Sequence, residues 1–211
     1  MNADPQIVEL RQYTLRPEQR EVLIALFERE FVETQEAAEI TLIGLFRDLD
    51  DPDRFVWLRG FRDVEQRRQA LTAFYEGPAW AAHREAANAT MIDSDNVLLL
   101  RPGANVTAEA RGALIAITVQ ALGADSEDRF ERQTRQDLER AGAQVLAWWV
   151  TEPAANTFPR LPVREGERVL VWLATYPDPM AHAACLAAVQ AGGTKVLQRL
   201  RLEPTARSAV G

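Results

Sequence analysis

The period of hydrophobic and polar positions changes repeatedly along the chain, and each change marks an element. Residues 7–15, IVELRQYTL, suit a strand with two mixed faces. Pro17 then suits the first position of a helix, where its missing N–H costs nothing, and Leu23, Leu26, Phe27 and Phe31 follow at helical spacing. A second strand, ITLIGLFR (40–47), runs into the turn signal DLDDPD, and RFVWLRGF (54–61) is a third. Asp63 with Gln66 three residues on marks a capped helix start. That helix stops at Glu76-Gly77, and Pro78 starts another that runs to about Met91. Asp93-Ser94-Asp95 turns the chain into a fourth strand, NVLLLR (96–101), closed by Pro102-Gly103. The order is β-α-β-β-α-β.

The second half gives the same order. ALIAITV (113–119) is a strand, residues 126–142 a capped helix, and 143–150 and 167–176 two more strands. A helix from about Asp178 to Ala191 and the strand KVLQRLRL (195–202) complete it. Val56-Trp57-Leu58 and Val171-Trp172-Leu173 hold the same place in each half. The expected fold class is α+β: tandem ferredoxin-like repeats, residues 1–104 and 105–211, with antiparallel sheets and helices on the outer faces. Each helix-free sheet face needs a cover, and two copies in one chain can cover each other. A second copy of the chain is a further candidate partner.

Composition narrows the function classes. The 211 residues are 47% hydrophobic and 26% charged, as expected of a folded globular chain rather than a disordered one. A formal net charge of −7 argues against a nucleic-acid or anionic-membrane surface. Arg59-Gly60-Phe61 resembles part of an RNA-binding aromatic motif, but RDVEQ follows where more aromatics are needed, so nucleic acid is rejected. No secretory signal opens the chain, and the most apolar run, 113–122, is half a bilayer span, so a cytoplasmic protein is expected. Two histidines and the single Cys185 do not suggest a metal site. No phosphate loop, dinucleotide fingerprint or serine nucleophile elbow is present, and no cofactor is expected.

Four segments, VELRQYTLRP, FVWLRGF, FYEGPAWAAHREAANATM and DSDNVLLLRP, occur in an order that resembles the NIPSNAP family. The resemblance covers the first 103 residues, and the second half resembles the diverged second repeat of bacterial two-repeat members. It implies a dimeric α/β-barrel fold and a role that is not biochemically defined. Related barrels include cofactor-free monooxygenases, isomerases and heme enzymes, so the fold alone selects no reaction.

Strand alternation assigns Val8, Leu10, Val56 and Leu58 to the helix side of the first sheet. Glu9, Arg11, Tyr13, Phe55, Trp57, Arg59 and Phe61 are left for the helix-free face. Arginines cannot stay inside a dry barrel unpaired. Either Glu9 pairs with them in a purely structural network, or the barrel interior is a wet cavity for an anion. On the helix after Pro78, the spacing of Trp80, His83, Arg84 and Ala87 gives one stripe, with Asn88 close by. His83 is either a general acid/base facing Trp57 and Arg59 or a rim histidine packed on Trp80. His182 is expected to be structural. The loop 151–167 is either a connector or a lid.

Two function classes follow. One is a cofactor-independent monooxygenase or isomerase for a small aromatic or anionic molecule. In it Arg59 and Arg11 hold the anion, Glu9, Trp57, Trp80, Arg84 and Asn88 line the site, and His83 or Tyr13 moves the proton. The other is a non-catalytic binding or assembly protein in which the same face builds the barrel.

Overall fold

Strand β1 (Ile7–Leu15) runs antiparallel between β3 (Arg54–Phe61) and β4 (Met91–Ala104). The computed structural model describes residues 4–104, 112–191, 193 and 195–211. In it β2 (Thr41–Asp48) flanks β3, so the first sheet reads β4-β1-β3-β2. The second sheet reads β6-β7-β5-β8, from β5 (Leu114–Ala121), β6 (Gln144–Thr151), β7 (Val169–Tyr176) and β8 (Val196–Pro204). The sheets join at both edges, β2 to β8 and β4 to β6, and the eight strands close into a barrel. Closure leaves no strand edge open. At the β4–β6 seam Trp148 lies so close over Gly103 that a Cβ there would overlap its ring. The expected boundary after residue 104 falls at a segment, 105–111, outside the described residues.

Helices α1 (Arg20–Glu30), α2 (Val32–Ala37), α3 (Val64–Tyr75) and α4 (Pro78–Thr90) cover the first sheet. The second is covered by α5 (Ser126–Arg129), a π-helical turn (Phe130–Thr134), α6 (Arg135–Arg140) and α7 (Pro179–Ala191). Asp63 caps α3 by accepting from Gln66 N–H at 2.7 Å, and the Gln66 side chain accepts in return from Arg62 N–H at 3.2 Å. Among the described residues no helix is long and apolar enough to cross a membrane.

Three local expectations need correction. Pro17 does not begin α1: Glu18 adopts a left-handed φ of 65°, and the helix starts only at Arg20. Asp93-Ser94-Asp95 is not a turn ahead of a strand starting at Asn96: β4 already begins at Met91 and absorbs the segment as an irregularity opposite β1 between Gln12 and Leu15. The single helix expected over 126–142 is interrupted by the π turn.

The larger correction concerns the faces of the sheet. Val8, Leu10, Val56 and Leu58 point into the barrel, where they meet Ile117, Val171 and Leu173 of the other sheet in one apolar core. Tyr13, Phe55, Trp57 and Phe61 lie under the helices with Phe27, Phe31, Leu71 and Phe74. Alternation fixes which residues share a face but not which face turns outward. Both faces of this sheet are buried, so the decision rests on partners. The sheet-to-sheet core is apolar apart from a Gln12–Gln198 pair and offers no charged partner, whereas the helices supply Gln35 and Arg67. The barrel interior is therefore packed and uncharged, largely apolar, and the Glu9 cluster lies on its helix-covered outside.

Candidate functional site

Register brings the charges of the first sheet together. Glu9 stands opposite Arg59, Arg11 opposite Trp57 and Tyr13 opposite Phe55. The Glu9 carboxylate is fully buried and held by three guanidiniums. Its Oε2 accepts from Arg11 Nη1 and Arg59 Nε, both at 2.8 Å, and its Oε1 accepts from Arg67 Nε at 2.7 Å. Three arginines against one carboxylate leave two positive charges in excess in a fully buried cluster. Burial alone would raise the Glu9 carboxyl, but Arg59, Arg11 and Arg67 outweigh it and hold it well below the usual carboxylate range. Burial pulls Arg67 down against the attraction of Glu9.

The outer guanidinium atoms reach neutral groups. Arg11 Nε donates to the Tyr13 hydroxyl at 3.3 Å, Arg59 Nη1 to Gln35 Oε1 at 3.2 Å, and Arg67 Nη1 to Asn156 Oδ1 at 3.1 Å. Arg59 Nη2 and Trp57 Nε1 find no hydrogen-bond partner among the described residues. Buried donors left in that condition are uncommon and call for an account. Aromatic faces soften the charge: Arg59 lies 5.0 Å from the Trp57 ring centre and Arg11 5.5 Å from it. Burial raises the Tyr13 hydroxyl above its ordinary value, against the pull of Arg11, so Tyr13 stays protonated.

Beside this network a crevice opens between sheet and helices, walled by Tyr13, Phe27, Phe31, Trp57, Tyr75 and Trp80. Its free volume is about 20 Å³, room for roughly one water. The Gly-Pro break builds one wall. A Cβ on Gly77 would come within 2.7 Å of the Ala73 carbonyl, so only glycine lets the chain turn this tightly off α3 before Pro78 begins α4. The turn sets Trp80 against Phe31, Phe74 and Tyr75.

His83 does not face Arg59 and Trp57. Its Nε2 pairs with Glu30 Oε2 at 3.2 Å, its ring meets the edge of Phe31, and ring contacts lead to Trp57 only through Phe31 and Phe27. Arg84 and Asn88 are exposed on α4, away from the crevice, because the buried side of that helix runs through Ala87 and Thr90. The site therefore gathers Glu9, Arg11, Tyr13, Trp57 and Arg59, with Trp80 on its wall. Sequence reasoning passed over Arg67, although it stands one turn before Leu71 on the apolar stripe of α3, an unusual place for an arginine. Asn156 carried no signal, because its partner is distant in sequence.

The second half provides an internal contrast. Trp172 holds the place of Trp57, beneath Phe130 as Trp57 lies beneath Phe27. Around it, Ala116 stands opposite Ala174 where Glu9 stands opposite Arg59, and Thr118 stands opposite Trp172 where Arg11 stands opposite Trp57. The aromatic layer is kept and the charges are absent. His182 is buried there, 4.6 Å from the Tyr176 ring.

The sequence pattern of the NIPSNAP family matches residues 8–105. An uncharacterized NIPSNAP-like domain protein from Burkholderia xenovorans is 30% identical, over 46% of this chain and 84% of its own, with a TM-score of 0.42. A candidate monooxygenase from Lactobacillus acidophilus NCFM shares the fold over 96% of this chain and 94% of its own, at 15% identity and a TM-score of 0.59. An anthrone oxidase-like protein does so over 98% and 94%, at 12% identity and a TM-score of 0.59. No curated protein sequence matches the chain.

Proposed function

This chain belongs to the NIPSNAP family, and from that premise we propose that its first half binds a compact aromatic anion between sheet and helices. The carrying observation is the contrast between the halves. The second half builds the same face from Ala116, Ala174 and Thr118, so the architecture does not require the charges. Replacing a buried ion cluster with apolar residues is often neutral or stabilising. A surplus of two buried positive charges beside unpaired donors is then a feature maintained for a ligand. Arg59 and Arg11 supply the field, Trp57 and Trp80 the stacking faces.

The catalytic form of this reading is a cofactor-independent monooxygenase or isomerase, the oxygenase form being motivated by the descriptions of the two full-length fold neighbours. Such reactions pass through a phenolate or enolate, and pre-set cationic donors lower the free energy of that anion. Tyr13, held protonated, is placed to return a proton, and the His83–Glu30 pair at the rim is a second carrier. A purely structural network is the alternative, favoured by the small free volume of the crevice and by the complete pairing of Glu9.

4-Nitrophenol tests the binding claim, since its ionised form absorbs visible light. The expected result is tryptophan quenching, with the bound probe ionising at lower pH than the free one. Arg59→Gln should remove the shift. Absence of binding, or binding of the neutral form alone, would overturn the proposal.

A further inference from the structure

The loop after β6 crosses onto the first half. It is pinned at its two ends by backbone bonds to β4, Glu152 N–H to Leu99 O at 2.9 Å and Arg164 N–H to Val97 O at 2.8 Å. Between these pins it lays two groups on the candidate site. Asn156 Oδ1 accepts from Arg67 Nη1, and two residues later the buried Phe158 ring packs 5.9 Å from Tyr75, itself 5.9 Å from the Arg59 guanidinium. A planar carbonyl oxygen on a guanidinium, with a phenyl ring against the neighbouring aromatic wall, is the outline of an aromatic carboxylate.

Resting on the anion-site reading above, we propose that Asn156–Phe158 is a built-in stand-in for an aryl carboxylate, which enters by displacing it. The amide is the neutral counterpart of the carboxylate. It satisfies the geometry of Arg67 but leaves the charge surplus in place, and a carboxylate in the same position would reduce that surplus. The strap reaches the crevice wall from outside, where Phe158 packs on Tyr75. A cleft of about 700 Å³ lies along the strap, lined by Leu99, Arg101, Asn156 and Arg168, and gives it room to withdraw. That volume is in the range of small-molecule sites. The strap holds itself in shape: Asn156 Oδ1 also accepts from Phe158 N–H at 3.1 Å, and its Nδ2 donates to Leu161 O at 2.8 Å. Those bonds keep its shape as it lifts, a movement that also releases the Thr157 hydroxyl from Val64 O at 3.3 Å and Arg160 from Glu76 at 3.5 Å.

The test is benzoate affinity, read by tryptophan quenching and calorimetry in the full chain. Asn156→Ala and Phe158→Ala each remove part of the stand-in, so each should bind benzoate roughly ten-fold more tightly than the unaltered protein, as expected when one charge-assisted hydrogen bond or one aromatic contact no longer has to be displaced. Adding Arg67→Gln to Phe158→Ala should abolish the gain. Chloride at equal ionic strength should not compete. Phe158→Ala leaves Asn156 on Arg67, so it covers the case in which Asn156→Ala does not fold. Unchanged or weaker benzoate binding in the variants would make the strap merely structural and sink the proposal. If 4-nitrophenol binds the unaltered protein while the variants gain nothing, this inference alone fails. If neither probe binds any form, both fail.

Discussion

Glu9 on β1 and Arg59 on β3 stand directly opposite each other, and Arg59 Nε donates to Glu9 Oε2 at 2.8 Å with neither side chain exposed. One carboxylate holds three buried guanidiniums together, so its loss is felt three times. Glu9→Gln should destabilise the protein by about 3–5 kcal/mol in urea denaturation at pH 7, the range for removing one partner of a buried pair. The pH dependence has a definite sign. The folded carboxyl titrates below its unfolded value, so its contribution is full above about pH 4.3 and is lost as pH falls toward the folded value. The acid limb of the stability curve should therefore flatten in Glu9→Gln. A variant as stable as the parent would mean that the cluster is no network.

The apolar barrel core leads to a second outcome. Val8, Leu10, Val56, Leu58, Leu98 and Leu100 are covered by the other sheet and by Val210 of the C-terminal tail. Residues 1–104 expressed alone should self-associate or aggregate, because this face would become a large exposed apolar patch. Analytical ultracentrifugation returning a folded monomer would contradict the dependence of one sheet on the other.

His182 gives a third. Burial, with Arg199 and Arg201 nearby, pushes its imidazole below the ordinary value against the opposing pull of Asp50. The neutral ring is the folded form, so the contribution is present above about pH 6.5 and is lost as pH falls through the lowered folded value. His182→Gln should flatten the stability slope below about pH 6.5. Binding of 4-nitrophenol should stay within a few-fold, because His182 belongs to the half that lacks the buried Glu9–arginine cluster. An unchanged slope would show that another group titrates there.

The element order and the grouping of Glu9, Arg11, Tyr13, Trp57 and Arg59 on one face were legible because alternation and turn chemistry are local. The side to which that group points was not, because a two-residue period has no sign when both faces are buried. Val56 and Leu58 could equally have met helices or another sheet. His83 was misplaced for a related reason. Its spacing from Trp80 gives a shared stripe but not the tilt of α4, which sets His83 on Glu30 of α1. Asn156 and Phe158 were out of reach: a loop's contact with Arg67 and Tyr75, more than eighty residues earlier, leaves no periodic trace in the chain.

Seat and rim can be separated by comparing His83 with Arg59. His83 is 31% exposed and its one ionic partner, Glu30, is 27% exposed, so that pair belongs to the class worth about 1 kcal/mol or less. Arg59 is fully buried, pairs with Glu9 and carries a donor with no partner among the described residues. His83→Ala should therefore cost under about 1 kcal/mol and change 4-nitrophenol affinity by less than about three-fold. Arg59→Gln should cost several-fold more stability and weaken the same probe by at least about ten-fold, through loss of a charge-assisted bond. Should turnover be found for any substrate, His83→Ala should lower kcat with little change in KM if the histidine carries a proton at the rim, whereas Arg59→Gln should raise KM. The reverse ranking in binding, with His83 dominant, would move the seat of the anion out of the arginine network and onto the outer edge of α1 and α4.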